Sequence, residues 1–168
     1  VSEGDLLDRI HLSTSTDGLT WSTPVRVLDR GPYAWNSRYV ARPTVIYENG
    51  VFKMWYDTMS GSNYTDPPSD IIIGYAISTD GIHWNKHRSP VFKGYAANDV
   101  KKVGSRYVML LQGAWQGTLV SASKDGLRWG TLRTLIPPDT LLGHLTPFLF
   151  IDPATSKPTT VYLGAGVS

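Results

Sequence analysis

Alternation of apolar and polar residues along the chain predicts short β-strands separated by turns. Three alternating stretches, at residues 9–13, 73–77 and 119–122, each lead into a polar turn. The i, i+3, i+4, i+7 apolar spacing that is typical of an amphipathic helix is not sustained in the sequence. The pattern therefore predicts an all-β protein.

The polar turn after each stretch repeats the motif Ser-x-Asp-Gly-x-x-Trp, at residues 15–21, 78–84 and 123–129. The Asp carboxylate can accept hydrogen bonds from backbone amides of the turn, and Gly tolerates a positive φ. The Trp supplies a large apolar surface for packing against a neighbouring sheet. Because repeated copies indicate architecture before chemistry, we interpret the three Asp residues as structural.

A two-stranded hairpin precedes the second and third motifs, at residues 41–56 and 98–111, and a partial copy follows at 145–163. Each complete unit then has four strands, of which the third ends in the Asp-Gly turn. This order is typical of the blades of a β-propeller. We predict a single domain with four parts: a half-blade at 1–30, complete blades at 41–95 and 97–136, and a half-blade at 144–168.

The predicted strands amount to about three blades, whereas propellers close as rings of typically four to eight. Either further sequence or a second chain would complete the ring. Two copies would supply six blades, with the last half-blade of each chain pairing with the first half-blade of the other. Since exposed strand edges favour such pairing, we expect a homodimer through the terminal half-blades.

Composition and charge narrow the function classes. Hydrophobic residues make up 41% of the chain and charged residues 18%, which is typical of a folded globular protein. The net charge is +2, and Lys101-Lys102 is the longest basic cluster, so no nucleic-acid partner is expected. No stretch has the roughly 20 apolar residues of a membrane helix, so no membrane partner is expected. With no cysteine, disulfides and thiolate metal sites are excluded.

Three stretches carry a resemblance to a known family: residues 41–45 (Ala-Arg-Pro-Thr-Val), 50–56 (Gly-Val-Phe-Lys-Met-Trp-Tyr) and 73–84. They are similar to the five-bladed propeller glycosidases, the arabinanase, xylosidase and invertase-like enzymes of glycoside hydrolase families 43 and 32. The resemblance implies a sugar site at the centre of the ring, on the first strand of each blade. In the family an Asp just before a Pro acts as base or nucleophile and a Glu of a later blade acts as acid. Hydrolysis requires both carboxylates.

The residues that would carry this chemistry do not match. Alignment of the hairpins places Arg42, Ala97 and Thr146 in the position of the family's Asp, and none of them is acidic. The chain has two Glu residues, of which Glu48 lies in a hairpin turn that we expect on the outer surface and Glu3 lies near the start. A complete pair of catalytic carboxylates is therefore not evident.

Asp99 is the remaining catalytic candidate, since it lies two residues after Ala97 and hence on the same face of its strand. The alternative is a structural Asp99, paired with an Arg or with loop amides. Arg42 is a candidate for holding a sugar hydroxyl or an anion, or for pairing with Asp99. His144 is a candidate for substrate binding. No cofactor is expected, although several related propellers hold a central calcium near a His.

Further substrate-binding candidates combine an aromatic ring or a carboxylate with nearby polar groups. Trp35 with the adjacent Asn36, and Trp115, would suit stacking on a sugar face, with packing between blades as the alternative. Asp57 stands before a long polar insertion at residues 58–70, a kind of loop that often borders a binding site.

These observations favour a glycoside hydrolase-like propeller that acts on or binds carbohydrate in its central channel. A non-catalytic carbohydrate-binding or interaction propeller that assembles as a dimer is the alternative. Phosphorolysis, with Arg42 and His144 forming a phosphate pocket, is a third hypothesis. An extracellular or periplasmic location is the expectation for a protein acting on glycans.

Overall fold

The regular structure of the described residues consists almost entirely of antiparallel β-strands. The computed structural model describes residues 8–60, 71–113, 116–138 and 143–166, without the side chains of residues 97, 98, 143–145, 165 and 166. No helix in these segments is long and apolar enough to span a membrane. One 3-10 turn, η1, covers Ala34–Asn36. The strands are β1 (Ile10–Leu12), β2 (Val25–Leu28), β3 (Val40–Glu48), β4 (Val51–Met59), β5 (Ile71–Ser78), β6 (Asn85–Lys86), β7 (Phe92–Lys93), β8 (Ala96–Val103), β9 (Arg106–Gln112), β10 (Thr118–Ser123), β11 (Arg133–Ile136), β12 (Gly143–Asp152) and β13 (Lys157–Gly166).

These strands form four sheets in chain order, which we number as blades. Blade 1 is the pair β1-β2, blade 2 has the order β3-β4-β5-β6 with β7 also paired to β5, blade 3 has the order β8-β9-β10-β11, and blade 4 is the pair β12-β13. The predicted class, two complete blades between two half-blades, is confirmed. Two strands differ from the bounds that the sequence predicts, which are residues 5–14 and 160–165. Among the described residues β1 covers only Ile10–Leu12, and β13 covers Lys157–Gly166.

The Asp-Gly turns are built by the predicted hydrogen bonds. Asp17 Oδ1 accepts the backbone N–H groups of Leu19 and Thr20, both at 2.8 Å, and Asp80 and Asp125 bind the corresponding amides of their turns. The amides of Thr20 and Leu19 lower the pKa of Asp17 to about 2. The glycine that follows each Asp has φ between +75° and +78°. The structural interpretation of the motif is confirmed.

Apolar side chains from facing sheets form one core at each of two blade junctions. Ile10 and Leu28 of blade 1 pack against Val40, Met54 and Tyr56 of blade 2. A second, larger core joins blades 2 and 3, and its buried members are Trp55, Ile73, Tyr75, Val100, Tyr107, Met109, Leu111 and Leu119. Blade 2 thus uses its two faces to join the blades on either side.

Trp55 is the centre of the second core and is fully buried. Its Nε1–H donates to the carbonyl oxygen of Gly126 at 2.8 Å, so the Asp-Gly turn of blade 3 covers the second strand of blade 2. Trp129, the last residue of that turn, packs edge-on against Trp55 with ring centroids 6.3 Å apart. At this junction the motif therefore ties blade 3 to blade 2.

Glu48, predicted to lie in a hairpin turn on the outer surface, is partly exposed at the end of the first strand of that hairpin and pairs with residues of two blades. It ends β3 with only 24% of its side chain exposed and binds Lys53 Nζ at 2.7 Å and Lys102 Nζ at 2.9 Å. The hydroxyl of Tyr107 also donates to its carboxylate. Hydrogen bonds from Lys53, Tyr107 and Lys102 lower the pKa of Glu48 to about 2. Its position bridges blades 2 and 3, because Lys102 and Tyr107 belong to blade 3.

This bridge gives a pH-dependent prediction. Since the pKa of Glu48 is lower in the folded chain than its usual value of 4.5, its contribution to stability is present above about pH 5 and is lost as the pH falls towards 2. Glu48→Gln should therefore lower the free energy of unfolding at pH 7 and have little effect near pH 2. Urea unfolding at both pH values tests this, and an equal loss at both would contradict it.

Candidate functional site

The first strands of blades 2, 3 and 4 share a β-bulge at the same position. The pairing shifts after Ala41↔Asp57 in blade 2, and likewise after residues 96 and 145 in the other two blades. In each case two residues of the inner strand oppose one residue of the second strand, at positions 42–43, 97–98 and 146–147. Such bulges redirect side chains and are frequent beside active sites.

Two of the bulges contain a residue in the left-handed region. Arg42 has φ 48° and Thr146 has φ 39°, and each precedes a Pro. This conformation costs roughly 1–3 kcal/mol for a residue with a side chain. Because this conformation occurs at the bulge of two first strands, the bulge position is a candidate functional feature.

The bulges border a cavity of about 420 Å³ that three blades share. Its lining is mixed in character, with prolines, hydroxyls, an ion pair and one aromatic ring. Residues from the first strands of blades 2, 3 and 4 all contribute to it, and the sequence predicted the sugar site on these strands. The lining residues are Pro43, Thr44, Val45, Asp99, Lys101, Thr146, Pro147 and Phe148.

Arg42 and Asp57 form an ion pair next to this cavity. Arg42 Nε donates to Asp57 Oδ2 at 2.6 Å, and the Asp57 side chain is fully buried while that of Arg42 is 46% exposed. Asp57 lies within β4, whereas the sequence placed it at the start of the loop that follows this strand. The buried carboxylate therefore orients a half-exposed guanidinium at the bulge.

Asp99 lines the cavity, but both of its carboxylate oxygens are engaged. Oδ1 accepts from Lys101 Nζ at 2.7 Å, and Oδ2 accepts from the backbone N–H of Leu149 at 2.7 Å. The residue is only 6% exposed. This geometry corresponds to the structural alternative for Asp99, which connects the inner strands of blades 3 and 4. A catalytic role for Asp99 stays a prediction.

Trp35 and Asn36 lie in η1, away from the cavity. Trp35 stacks on Tyr33 with ring centroids 5.8 Å apart, and its Nε1–H donates to the carbonyl of Arg88 at 3.0 Å. Asn36 is fully buried, and its Oδ1 accepts from the backbone N–H of Tyr33. In this conformation both side chains pack within the protein, which is the alternative that the sequence left open for Trp35. A role for Trp35 or Asn36 in sugar binding stays a prediction.

Two further candidates lie beyond what the structure can test. Trp115 falls outside the described residues, and His144 is described only by its backbone, which pairs with residue 165 in blade 4. Across the described segments no three His, Asp or Glu side chains cluster as metal ligands do.

A separate cleft of about 540 Å³ lies between blades 1 and 2. Lys86 reaches across it and donates to the carbonyl oxygens of Asp29 and Gly31. Burial lowers the pKa of Lys86 to about 8. Because its ammonium group holds the connection between the two blades, we interpret Lys86 as structural.

Phe148 and Lys101 also belong to the candidate site, although neither was predicted from the sequence. Phe148 is 47% exposed on the cavity, and Lys101 Nζ lies 4.4 Å from the centroid of its ring. The signal was present in the alignment of the hairpins, because the bulge at Thr146-Pro147 comes directly before Phe148. Only the bulge, which the hydrophobic pattern does not reveal, brings this ring to the cavity.

Comparison with known sequences finds relatives without an established role. No family model matches the chain. Uncharacterized protein Rv1502 of Mycobacterium tuberculosis is 30% identical over 125 residues, which cover 67% of this chain and 40% of that protein. Uncharacterized protein MT1551 of another strain of that species is 32% identical over 123 residues, with the same coverage. The chain thus spans about 40% of the length of the curated relatives it matches.

Comparison with solved structures decides the fold. The Bombyx mori GH32 beta-fructofuranosidase BmSUC1 matches 83% of this chain with a TM-score of 0.69 at 17% identity, over 32% of its own chain. An exo-1,5-alpha-L-arabinanase from a bovine ruminal metagenomic library matches 88% of this chain with a TM-score of 0.65 at 16% identity, over 56% of its own. The Cellvibrio cellulosa alpha-L-arabinanase matches 83% with a TM-score of 0.64 at 12% identity, over 54% of its own. The chain has the β-propeller fold of these glycosidases.

At such low identity this likeness establishes the fold alone. The predicted superfamily resemblance is confirmed at the level of this propeller fold. The number of blades in a closed ring stays a prediction.

Proposed function

We propose that the chain is a carbohydrate-binding part of a propeller, with the sugar in the cavity shared by blades 2, 3 and 4. The observation that carries the proposal is the half-exposed ring of Phe148 beside polar groups on the inner strands. An exposed aromatic ring stacks on the apolar face of a sugar, and nearby polar groups hydrogen-bond to its hydroxyls. Thr44 and the oriented guanidinium of Arg42 are the polar groups that we assign to this role.

Binding without hydrolysis is what the geometry supports best. Glycoside hydrolysis requires an acid and a second carboxylate on either side of the scissile bond. Asp99, which lines the cavity, binds Lys101 and the backbone N–H of Leu149. The buried Asp57 lies next to the cavity and binds Arg42. Neither is placed as a general acid facing the cavity.

Hydrolysis is the second candidate, since the fold is shared with glycosidases. If Asp99 were catalytic, the parent chain would cleave glycosides and Asp99→Asn would not. Phosphorolysis would be recognised by turnover that depends on added phosphate. The panel should contain arabinan, fructan and mannoside oligosaccharides, because the structural neighbours are named arabinanases, a fructofuranosidase and mannoside phosphorylases.

The stacking surface gives a direct test of binding. Phe148→Ala should weaken the binding of the best oligosaccharide of this panel about 5- to 10-fold, because an aromatic contact contributes about 1 kcal/mol. Phe150→Ala is the matched control, since Phe150 is similarly exposed at 40% but does not line the cavity. Isothermal titration calorimetry measures both, with the molar mass recorded alongside to detect a change in assembly. Equal effects of the two variants, or no binding of any oligosaccharide, would contradict the proposal.

A further inference from the structure

We propose that the sugar is an acidic one, whose carboxylate or sulfate group binds Arg42 and Lys101. This rests on the proposed binding of a sugar in the cavity shared by blades 2, 3 and 4, and it names the class of sugar. What supports it is the arrangement of charge. Two ion pairs lie at the cavity, and in each of them the carboxylate is the more buried partner and the cation the more exposed one.

The first ion pair joins Arg42, at the bulge of β3, to Asp57 of the neighbouring strand β4. The side chain of Asp57 is 0% exposed and that of Arg42 is 46% exposed, so the positive end of the pair reaches the surface. Arg42 offsets the cost of burying the carboxylate. That role requires neither an exposed guanidinium nor the φ of 48° at Arg42. Because strained residues of this kind cluster at ligand sites, the exposure and the conformation of Arg42 point to a ligand.

The second ion pair joins Lys101 to Asp99 on β8, the first strand of blade 3. The side chain of Asp99 is 9% exposed, and its two oxygens accept from Lys101 Nζ and from the backbone N–H of Leu149, both at 2.7 Å. The side chain of Lys101 is 26% exposed and lines the cavity. An ammonium group has three N–H donors, and Asp99 takes one of them. Asp99 thus fixes the position of a cation that can still donate to a ligand.

Lys101 also lies next to the ring on which we expect the sugar to stack. Its Nζ is 4.4 Å from the centroid of the Phe148 ring. Pro43 and Thr44, the residues that follow Arg42, line the same cavity, and their strand β3 contacts β8. An anionic group on a sugar at Phe148 would therefore meet Lys101 directly, with Arg42 on the adjoining strand.

The two ion pairs give the cavity a positive potential, although each pair is neutral as a whole. Because the cation of each pair is the more exposed partner, each pair is a dipole with its positive end outward. Walls of low polarity strengthen such a field, and part of the lining is apolar: Pro43, Val45 and Pro147. A carboxylate or sulfate accepts charge-assisted hydrogen bonds from Arg and Lys, which are roughly twice as strong as neutral ones. A cationic amino sugar would be repelled.

The first test is calorimetric titration of the parent chain with matched sugars. Oligogalacturonides carry a carboxylate on each ring, and reduction of these carboxylates gives neutral oligosaccharides of the same length and linkage. The oligogalacturonides should bind about 10-fold more tightly at low salt, because hydrogen bonds to charged groups contribute more than neutral ones. This preference should shrink as the salt concentration rises. Sulfated galactose oligosaccharides distinguish a sulfate from a carboxylate ligand, and galactosamine oligosaccharides should bind most weakly.

The second test is Lys101→Gln, with Lys102→Gln as the matched control. Gln can still donate to Asp99 but carries no charge. Lys102 is the next residue and has a similarly exposed side chain, at 32%, but it binds Glu48 and does not line the cavity. Lys101→Gln should lower the ratio of the affinities for the acidic and the reduced sugar about 3-fold, whereas Lys102→Gln should leave it unchanged. A general loss of folding or stacking affects both sugars alike and does not move this ratio.

Four results would overturn the acidic preference. They are equal affinity for the acidic and the reduced sugar, tighter binding of the amino sugar, an unchanged ratio in Lys101→Gln, and an equal fall of the ratio in Lys102→Gln. The proposed binding function would survive each of them, because a sugar is still bound. If no sugar of this set or of the neutral panel is bound, the binding function itself fails and the acidic preference fails with it.

Discussion

Replacing Trp55 by alanine is expected to lower the free energy of unfolding by about 3–5 kcal/mol, the usual loss for a fully buried Trp. The side chain is 0% exposed, and its ring contacts Tyr75 of its own blade and Tyr107 and Trp129 of the next. The variant would therefore remove the centre of the core that joins blades 2 and 3.

Trp55→Phe separates packing from hydrogen bonding in this contact. It keeps most of the apolar surface and removes the Nε1–H that donates to Gly126. If packing dominates, Phe should retain more than half of the stability that Ala loses. Urea unfolding measures all three proteins. A loss below about 1 kcal/mol for Trp55→Ala, the size of an ordinary surface substitution, would contradict the assigned junction.

Gly126→Ala should destabilise the same junction from the opposite side, by about 2–5 kcal/mol in total. Gly126 has φ +78°, which costs a residue with a side chain about 1–2 kcal/mol. A Cβ at this position would also lie 2.7 Å from Cζ2 of Trp55, and such overpacking costs typically 1–3 kcal/mol more.

Gly50→Ala is the matched control for this substitution. Gly50 has nearly the same φ, +79°, and a Cβ there would have no atom within 4 Å. The difference between the two losses therefore isolates the contact with Trp55. Thermal or urea unfolding of the two variants measures it, and equal losses would show that the turn does not press on Trp55.

The architecture could be predicted from the sequence because it rests on local chemistry. The Asp17, Asp80 and Asp125 turns are closed by amides two and three residues away, so the motif alone specifies them. Repetition of the motif then gave the third strand of each blade, and the hairpins gave the first and second. The prediction of strand ends was less accurate, as the short β1 shows.

The site could not be predicted in the same way, because it depends on contacts between distant residues. One of the two partners of Asp99 is the backbone amide of Leu149, fifty residues further along the chain, and no local pattern indicates it. Glu48 looked like an exposed turn residue, yet its position next to Lys102 and Tyr107 of another blade makes it a bridge.

The burial of an aromatic side chain was equally hard to infer. Trp35 beside Asn36 has the composition of a sugar-binding pair, but η1 folds Asn36 into the interior and stacks Trp35 on Tyr33. Phe148, which looked like an ordinary strand residue, is half exposed at the cavity because a bulge precedes it. The hydrophobic pattern predicts strands, while bulges and blade packing decide which rings face a ligand.

We propose above that a sugar binds in the cavity between the first strands of blades 2, 3 and 4. A crystal structure of the chain soaked with the best-binding oligosaccharide of the arabinan, fructan and mannoside panel tests it most directly. We expect a sugar ring stacked on Phe148, with hydroxyl groups within hydrogen-bonding distance of Thr44 or Arg42. An oligosaccharide bound elsewhere on the surface, with the cavity beside Phe148 empty of sugar, would contradict it.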